Sequence, residues 1–224
     1  VCVERARYLT KAYKENEEKS KYMKRALAVK EVLENMSIYM KDGELVVGNQ
    51  ASDDRTAPLF PEYAVEWIIE ELNEKGNFDH RDGDKFHLPE KDKKEVLEIC
   101  EYWNGKTLRE KCYAQMTDEM KNASQVKAIH GEGNMTSGDG HIVPDHEMIL
   151  KKGFRGIINE AKEKLENVSD EEACIFYKSV IITLEAALAF IKRYGKLALE
   201  MSQKEKDTVR KQELITISKM CETL

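Results

Sequence analysis

The sequence predicts a mainly α-helical fold, interrupted by one short β-hairpin near residues 38–47 and by one long glycine-rich loop. Three observations carry this. Apolar residues recur at helical spacing, as in Val3, Ala6, Leu9 and Tyr13, or Ala26, Val29, Val32, Leu33 and Met36. Lys and Glu interleave between them, which suits solvated helix faces. Glycine and histidine instead gather between His130 and Gly153.

A first helix runs from Val3 to about Tyr13, and a second from Lys21 to Asn35. The pattern then changes. Ile38, Met40, Leu45 and Val47 flank Asp42-Gly43, a hairpin signal. Gly48, Pro58 and Pro61 keep the next stretch irregular, and Arg55 lies within it. Helix resumes over Glu62–Lys75, with Val65, Ile68, Ile69 and Leu72 inward. GNFDHRDGDKF is a polar turn whose His80 and His87 read as surface residues. Pro89 opens a helix that ends at Asn104-Gly105. A short helix passes through Leu108 and Cys112, and Thr117 starts another.

Beyond the loop, a helix over Asp145–Asn167 is bent near Gly153 and Gly156. Ser169, with Glu172 three residues on, reads as the capping box of a long helix reaching about Met201. Its middle, VIITLEAALAF, is the most apolar stretch and predicts enclosure by other elements. A last helix spans about Lys204–Cys221.

Composition narrows the function. Charged residues make up 35% of the 224, and the formal net charge is −6, which argues against a nucleic-acid partner. No uninterrupted run of eighteen apolar residues suggests a membrane span. The opening VCVERARYLTK lacks the apolar core of a signal peptide. The five cysteines are odd in number and widely spaced, without a CxxC. They read as small buried hydrophobes in a reducing cytoplasm. Val at position 1 and helical register to the last residues suggest a piece of a longer protein.

The loop is where chemistry concentrates. Gly131, Gly133, Gly138 and Gly140 allow close backbone approach to a ligand. Asn134, Ser137 and Asp139 favour turns, Pro144 biases Val143 away from helix, and Asp145 caps the next helix. His141, beside Asp139, can bond to or exchange a proton with a small polar ligand. A long polar surface connection, with His141 bonding backbone, is the alternative. Arg55 suits a carboxylate or phosphate, or else pairs with Asp53 or Asp54. His141 and His146 are separated by Pro144, so one helix face cannot present both to a metal, and no metal site is expected. No Gly-Lys-Ser/Thr ends the glycine run, and Ser137 sits in SGDG rather than GxSxG.

One ordered series covers nearly the whole chain: RARYLTKAY, RALAVKEVLENMSIYMKDGELVVGNQAS, APLFPEYAVEWIIEEL, YWNGKT and EGNMTSGDGH. It resembles the N-terminal part of glycyl radical enzymes, in the branch of pyruvate formate-lyase-like proteins and glycerol/diol dehydratases. The resemblance implies that residues 1–224 are the N-terminal helical region of a ten-stranded α/β barrel enzyme. It implies a glycyl radical near the C-terminus of the full-length enzyme, passed to a cysteine. An iron–sulfur, S-adenosylmethionine-dependent activating enzyme would install it. None of the five cysteines here lies in a Gly-Cys-x-Glu context, so the piece alone is expected to be inactive. The implied protein is a cytoplasmic homodimer, a dehydratase or lyase acting on a small hydroxylated substrate. His141 matches the dehydratase histidine that contacts substrate hydroxyls, with Asp139 and Arg55 as further substrate-binding candidates. A formate C-acetyltransferase-type C–C lyase and a non-catalytic helical scaffold are the rivals.

Overall fold

Several helices start where a side chain replaces a hydrogen bond that the helix cannot make: Ser20, Thr107, Thr117, Asp145 and Asp170 each accept from an N–H of the first turn. The computed structural model describes residues 1–73, 76–83, 85–129 and 143–223. They form two units: Val1–Arg7 with Thr56–Val143, and Tyr8–Arg55 with Pro144–Leu224. Helix α1 (Glu4–Glu15) begins in the first and ends in the second.

The first unit holds α3 (Glu66–Asn73), a 3₁₀ turn (Phe78–His80), α4 (Glu90–Trp103), α5 (Leu108–Ala114) and α6 (Asp118–Gln125). Helix α3 starts four residues later than predicted. The carbonyls of Glu62 and Tyr63 accept from Leu108 and Arg109 N–H at 2.9 and 3.0 Å instead of opening a helix. Arg5 ties α1 to that turn. It donates to both Glu62 carboxylate oxygens and to Leu59 O, and lies 3.8 Å from the centre of the Phe60 ring. The buried Asn77 side chain accepts from Phe78 and Leu88 N–H and donates to Leu88 O. Thr107 and Glu110 form a capping box at α5. His80 and His87 are exposed, as their polar surroundings in the sequence imply.

The second unit is a helical bundle around one long element. It comprises α2 (Lys21–Asn35), α7 (His146–Asn167), α8 (Glu171–Lys204) and α9 (Thr208–Thr223). Helix α8 has 34 residues, about 51 Å at 1.5 Å rise. It contacts α2, α7 and α9. Arg193 on α8 donates to Leu33 O at 2.6 Å and Met36 O at 2.5 Å, satisfying carbonyls at the α2 C-terminus. Gly195 brings α9 close: a Cβ there would lie 2.9 Å from Cys221 Cβ. Tyr194, Ala198, Leu214, Ile217, Cys221 and Met40 form the core at this end.

Among the described residues there is no β-strand, only an isolated bridge between Cys2 and Pro58. The hairpin predicted near 38–47 is therefore a turn and nothing more: Glu44 N–H reaches Lys41 O at 3.3 Å. Lys41 N–H goes to the Glu44 carboxylate at 2.8 Å rather than to Glu44 O. Arg210 on α9 takes that carbonyl instead, at 2.9 Å, and also donates to Lys41 O at 3.1 Å. Ile38, Met40 and Val47 pack on α8 and α9 rather than across a sheet.

Three further boundaries differ. Asp170, not Ser169, caps α8, accepting from Ala173 N–H at 2.7 Å. Helix α8 runs to Lys204, and α9 begins at Thr208, where Asp207 accepts from Arg210 N–H. The bend in α7 falls at Gly153, whose φ of 64° and ψ of 170° only glycine adopts readily. VIITLEAALAF is not enclosed as expected. Ala186 is buried, but Val180, Ile181, Leu184 and Leu188 are half-buried. Helix α8 also holds an 18-residue window of mean hydropathy 1.8, long and apolar enough to cross a membrane by length and composition, of which 17% is buried. Of the cysteines, Cys2, Cys100 and Cys221 are buried, while Cys112 and Cys174 are half-buried. Burial pushes the Cys100 thiol up to about 12.

Candidate functional site

His141 and Asp139, the residues that the sequence singles out for chemistry, lie outside the described residues. The chain to either side is defined. Before these residues, α6 is capped by Thr117, which accepts from Met120 N–H. It ends at Gln125 with Val126 as its C-cap, and Lys127 then takes a left-handed φ of 58°. After them, Asp145 accepts from Met148 N–H at 2.9 Å and starts α7, as predicted. His146, in the first turn of α7, is exposed.

Arg55 is exposed in a turn and also left-handed, with φ of 53°. Its neighbour Asp54 pairs with Lys41 at 2.5 Å. The hydrogen bond from Lys41 holds the Asp54 carboxyl below its ordinary value, and the Arg55 backbone N–H adds to that. Of the two acids that sequence reading offered to the Arg55 guanidinium, Asp54 is thus engaged first by Lys41.

Among the described residues the apolar clefts of the second unit include two walled by α8. One, of about 670 Å³, lies between α2, α7 and α8 and is walled by Tyr22, Ile149, Ile157, Phe176, Val180 and Leu184. The other, of about 310 Å³, is lined by Leu45–Gly48 with Phe190, Tyr194, Ile217 and Met220. Neither is lined by a histidine or a carboxylate, and the first includes Lys21 and Arg25. The Tyr194 hydroxyl is buried and makes no hydrogen bond of acceptable geometry. Burial raises it to about 12, with the nearby Asn49 N–H opposing the rise. Sequence reading missed both clefts, because each is assembled from helices far apart in the chain. It also missed Arg193 and Arg210, whose only local signal is a cation on an otherwise apolar helix face. Among the described residues no three His, Cys, Asp or Glu side chains converge as metal ligands would.

The chain has clear relatives. The chain belongs to the pyruvate formate lyase-like family, whose pattern it matches over residues 1–224. It is 37% identical over 232 aligned residues to a probable dehydratase of Escherichia coli, YbiW, covering all of this chain and 28% of that protein. It is 38% identical to the B12-independent glycerol dehydratase of Clostridium butyricum, solved with glycerol bound. That match has a TM-score of 0.90 and covers 98% of this chain and 28% of the other. A glycyl radical enzyme of Archaeoglobus fulgidus aligns at 29% identity with a TM-score of 0.85, over 99% of this chain and 29% of that one. The chain thus spans little more than a quarter of the length of these relatives.

Proposed function

We propose that residues 1–224 are the N-terminal part of a glycyl radical dehydratase or lyase that acts on a small hydroxylated compound. The observation that carries this is the match of 98% of the chain, backbone included, to the glycerol dehydratase of Clostridium butyricum. In this reading the radical, installed by an iron–sulfur, S-adenosylmethionine-dependent activating enzyme, supplies hydrogen abstraction from the substrate. This chain supplies binding and proton management. His141 contacts a substrate hydroxyl, and Asp139 and Arg55 hold the substrate. An imidazole can give a proton to a leaving hydroxyl or take one from the hydroxyl that stays. The whole protein is proposed to be a cytoplasmic homodimer.

The test is anaerobic activation of the full-length protein, followed by electron paramagnetic resonance and product analysis. A glycyl signal with conversion of glycerol or a related diol to an aldehyde is expected. The 224-residue piece, treated in the same way, should give no signal. Turnover of pyruvate and coenzyme A instead would assign the C–C lyase branch, and absence of any radical in the full-length protein would overturn the enzyme reading.

A further inference from the structure

We infer that Gly153, Gly156 and the Lys152–Glu160 ion pair are positioning residues for His141: they set the direction of the helical limb that follows it in the chain. This rests on the proposed reading of His141 as the acid–base group.

Helix α7 is two helical limbs meeting at Gly153. There φ is 64° and ψ is 170°, a combination open to glycine and costly for any other residue. The bend closes on one face. A Cβ built at Gly156 would lie 3.1 Å from Lys152 Cβ. Residues four apart on a regular helix hold their Cβ atoms about 5–6 Å apart. On the same face Lys152 pairs with Glu160 at 2.6 Å. Residues eight apart are separated by about 12 Å along a straight helix, and helical ion pairs form at spacings of about three or four. Glycine at 153 thus permits the bend, glycine at 156 leaves room inside it, and the ion pair holds it closed.

The shorter limb, residues 145–152, is braced within itself. Asp145 caps it, and Glu147 pairs with Lys151 one turn on. Its Met148 and Ile149 help to wall the cleft shared with Tyr22 of α2 and Phe176 of α8. Glycine is the poorest helix former after proline, and a straight α7 would need neither Gly153 nor Gly156. What the bend fixes is the direction of this limb, and only Ile142, Val143 and Pro144 separate the limb from His141. A reacting group misplaced by about 1 Å can lose on the order of a hundredfold in rate. The bend is therefore a point at which the chain controls the placement of that imidazole.

The test uses the full-length, activated protein, with glycyl radical content, melting temperature and turnover at saturating substrate measured on one sample. Gly153→Ala should lower turnover by about ten- to a hundredfold with radical content unchanged. Glu160→Gln, at an exposed pair, should lower it by about two- to fivefold with the melting temperature unchanged as well. Exchanging the charges, Lys152→Glu with Glu160→Lys, should restore turnover. Combining Gly153→Ala with His141→Gln should cost little beyond His141→Gln alone, because a positioning residue acts through that imidazole. Normal turnover in folded Gly153→Ala overturns the inference, and so does a loss that adds in full to that of His141→Gln. If Gly153→Ala does not fold, Glu160→Gln decides: unchanged turnover, or a loss that charge exchange leaves in place, overturns it. Losses that only track radical content or melting temperature overturn it too. His141→Gln reports separately on the underlying reading. If it lowers turnover and Gly153→Ala does not, the inference fails alone; if it leaves turnover normal, the reading itself fails.

Discussion

Replacing Arg210 with Met keeps the apolar stem and removes the guanidinium that stands in for a β-strand. Arg210 is 7% exposed and donates to Glu44 O, Lys41 O and the Glu213 carboxylate, at 2.9, 3.1 and 2.9 Å. A hydrogen bond to a charged group is worth about 1.5–3 kcal/mol net. The two carbonyls therefore account for about 3–6 kcal/mol, and breaking a buried charge network costs about 3–5 kcal/mol. The Asp42 contact adds little, because its carboxylate is 98% exposed and 3.8 Å away. We expect Arg210→Met to cost about 3–5 kcal/mol. In a chain of this size that lowers the melting temperature by about 6–20 °C. Arg210→Lys should recover only part of the loss, since one ammonium cannot reproduce the planar fork. Urea titration followed by circular dichroism measures both variants. A loss under about 1 kcal/mol for the Met variant, or full recovery by Lys, would refute the assignment of Arg210 as organiser of the 41–44 turn.

Two further predictions concern stability. Gly195→Ala should cost about 1–3 kcal/mol by overpacking, because its Cβ would lie 2.9 Å from Cys221 Cβ; an unchanged urea midpoint would mean that α9 shifts freely. Burial raises Cys100 from 9.0 to about 12 and Tyr194 from 10.0 to about 12. An acid whose folded pKa is raised favours folding fully below its unfolded pKa and loses that contribution as pH climbs toward the folded value. Stability should therefore fall between about pH 9 and 12, and Cys100→Ala should flatten that fall in urea titrations run across the range; an unaltered slope would contradict the cause.

Most of the helices were legible because their signals are local. Asp145 and Thr117 cap where their side chains can reach an N–H three residues on, and Gly153 breaks α7 where its φ requires glycine. The hairpin was misread because Asp42-Gly43 marks a turn without specifying what pairs with its arms. That choice is made by Arg210, 166 residues from Glu44. The start of α3 failed for the same reason, since the carbonyls of Glu62 and Tyr63 are claimed by Leu108 and Arg109. Enclosure of the apolar run in α8 was inferred from composition, which states a need for burial and not what provides it. The candidate site was legible only as chemistry: a histidine among glycines indicates what a loop can do, while Arg193 and the apolar clefts depend on tertiary contact.

The central claim is that His141 supplies the acid–base group for a radical dehydration. It is tested most directly by His141→Gln in the full-length, activated protein, with glycyl radical content, melting temperature and turnover measured on one sample. General acid–base assistance is typically worth ~10²–10⁴-fold. The account predicts unchanged radical content and melting temperature, with turnover lowered by about a hundredfold or more. Normal turnover, or a loss that only tracks a lower melting temperature, would contradict it.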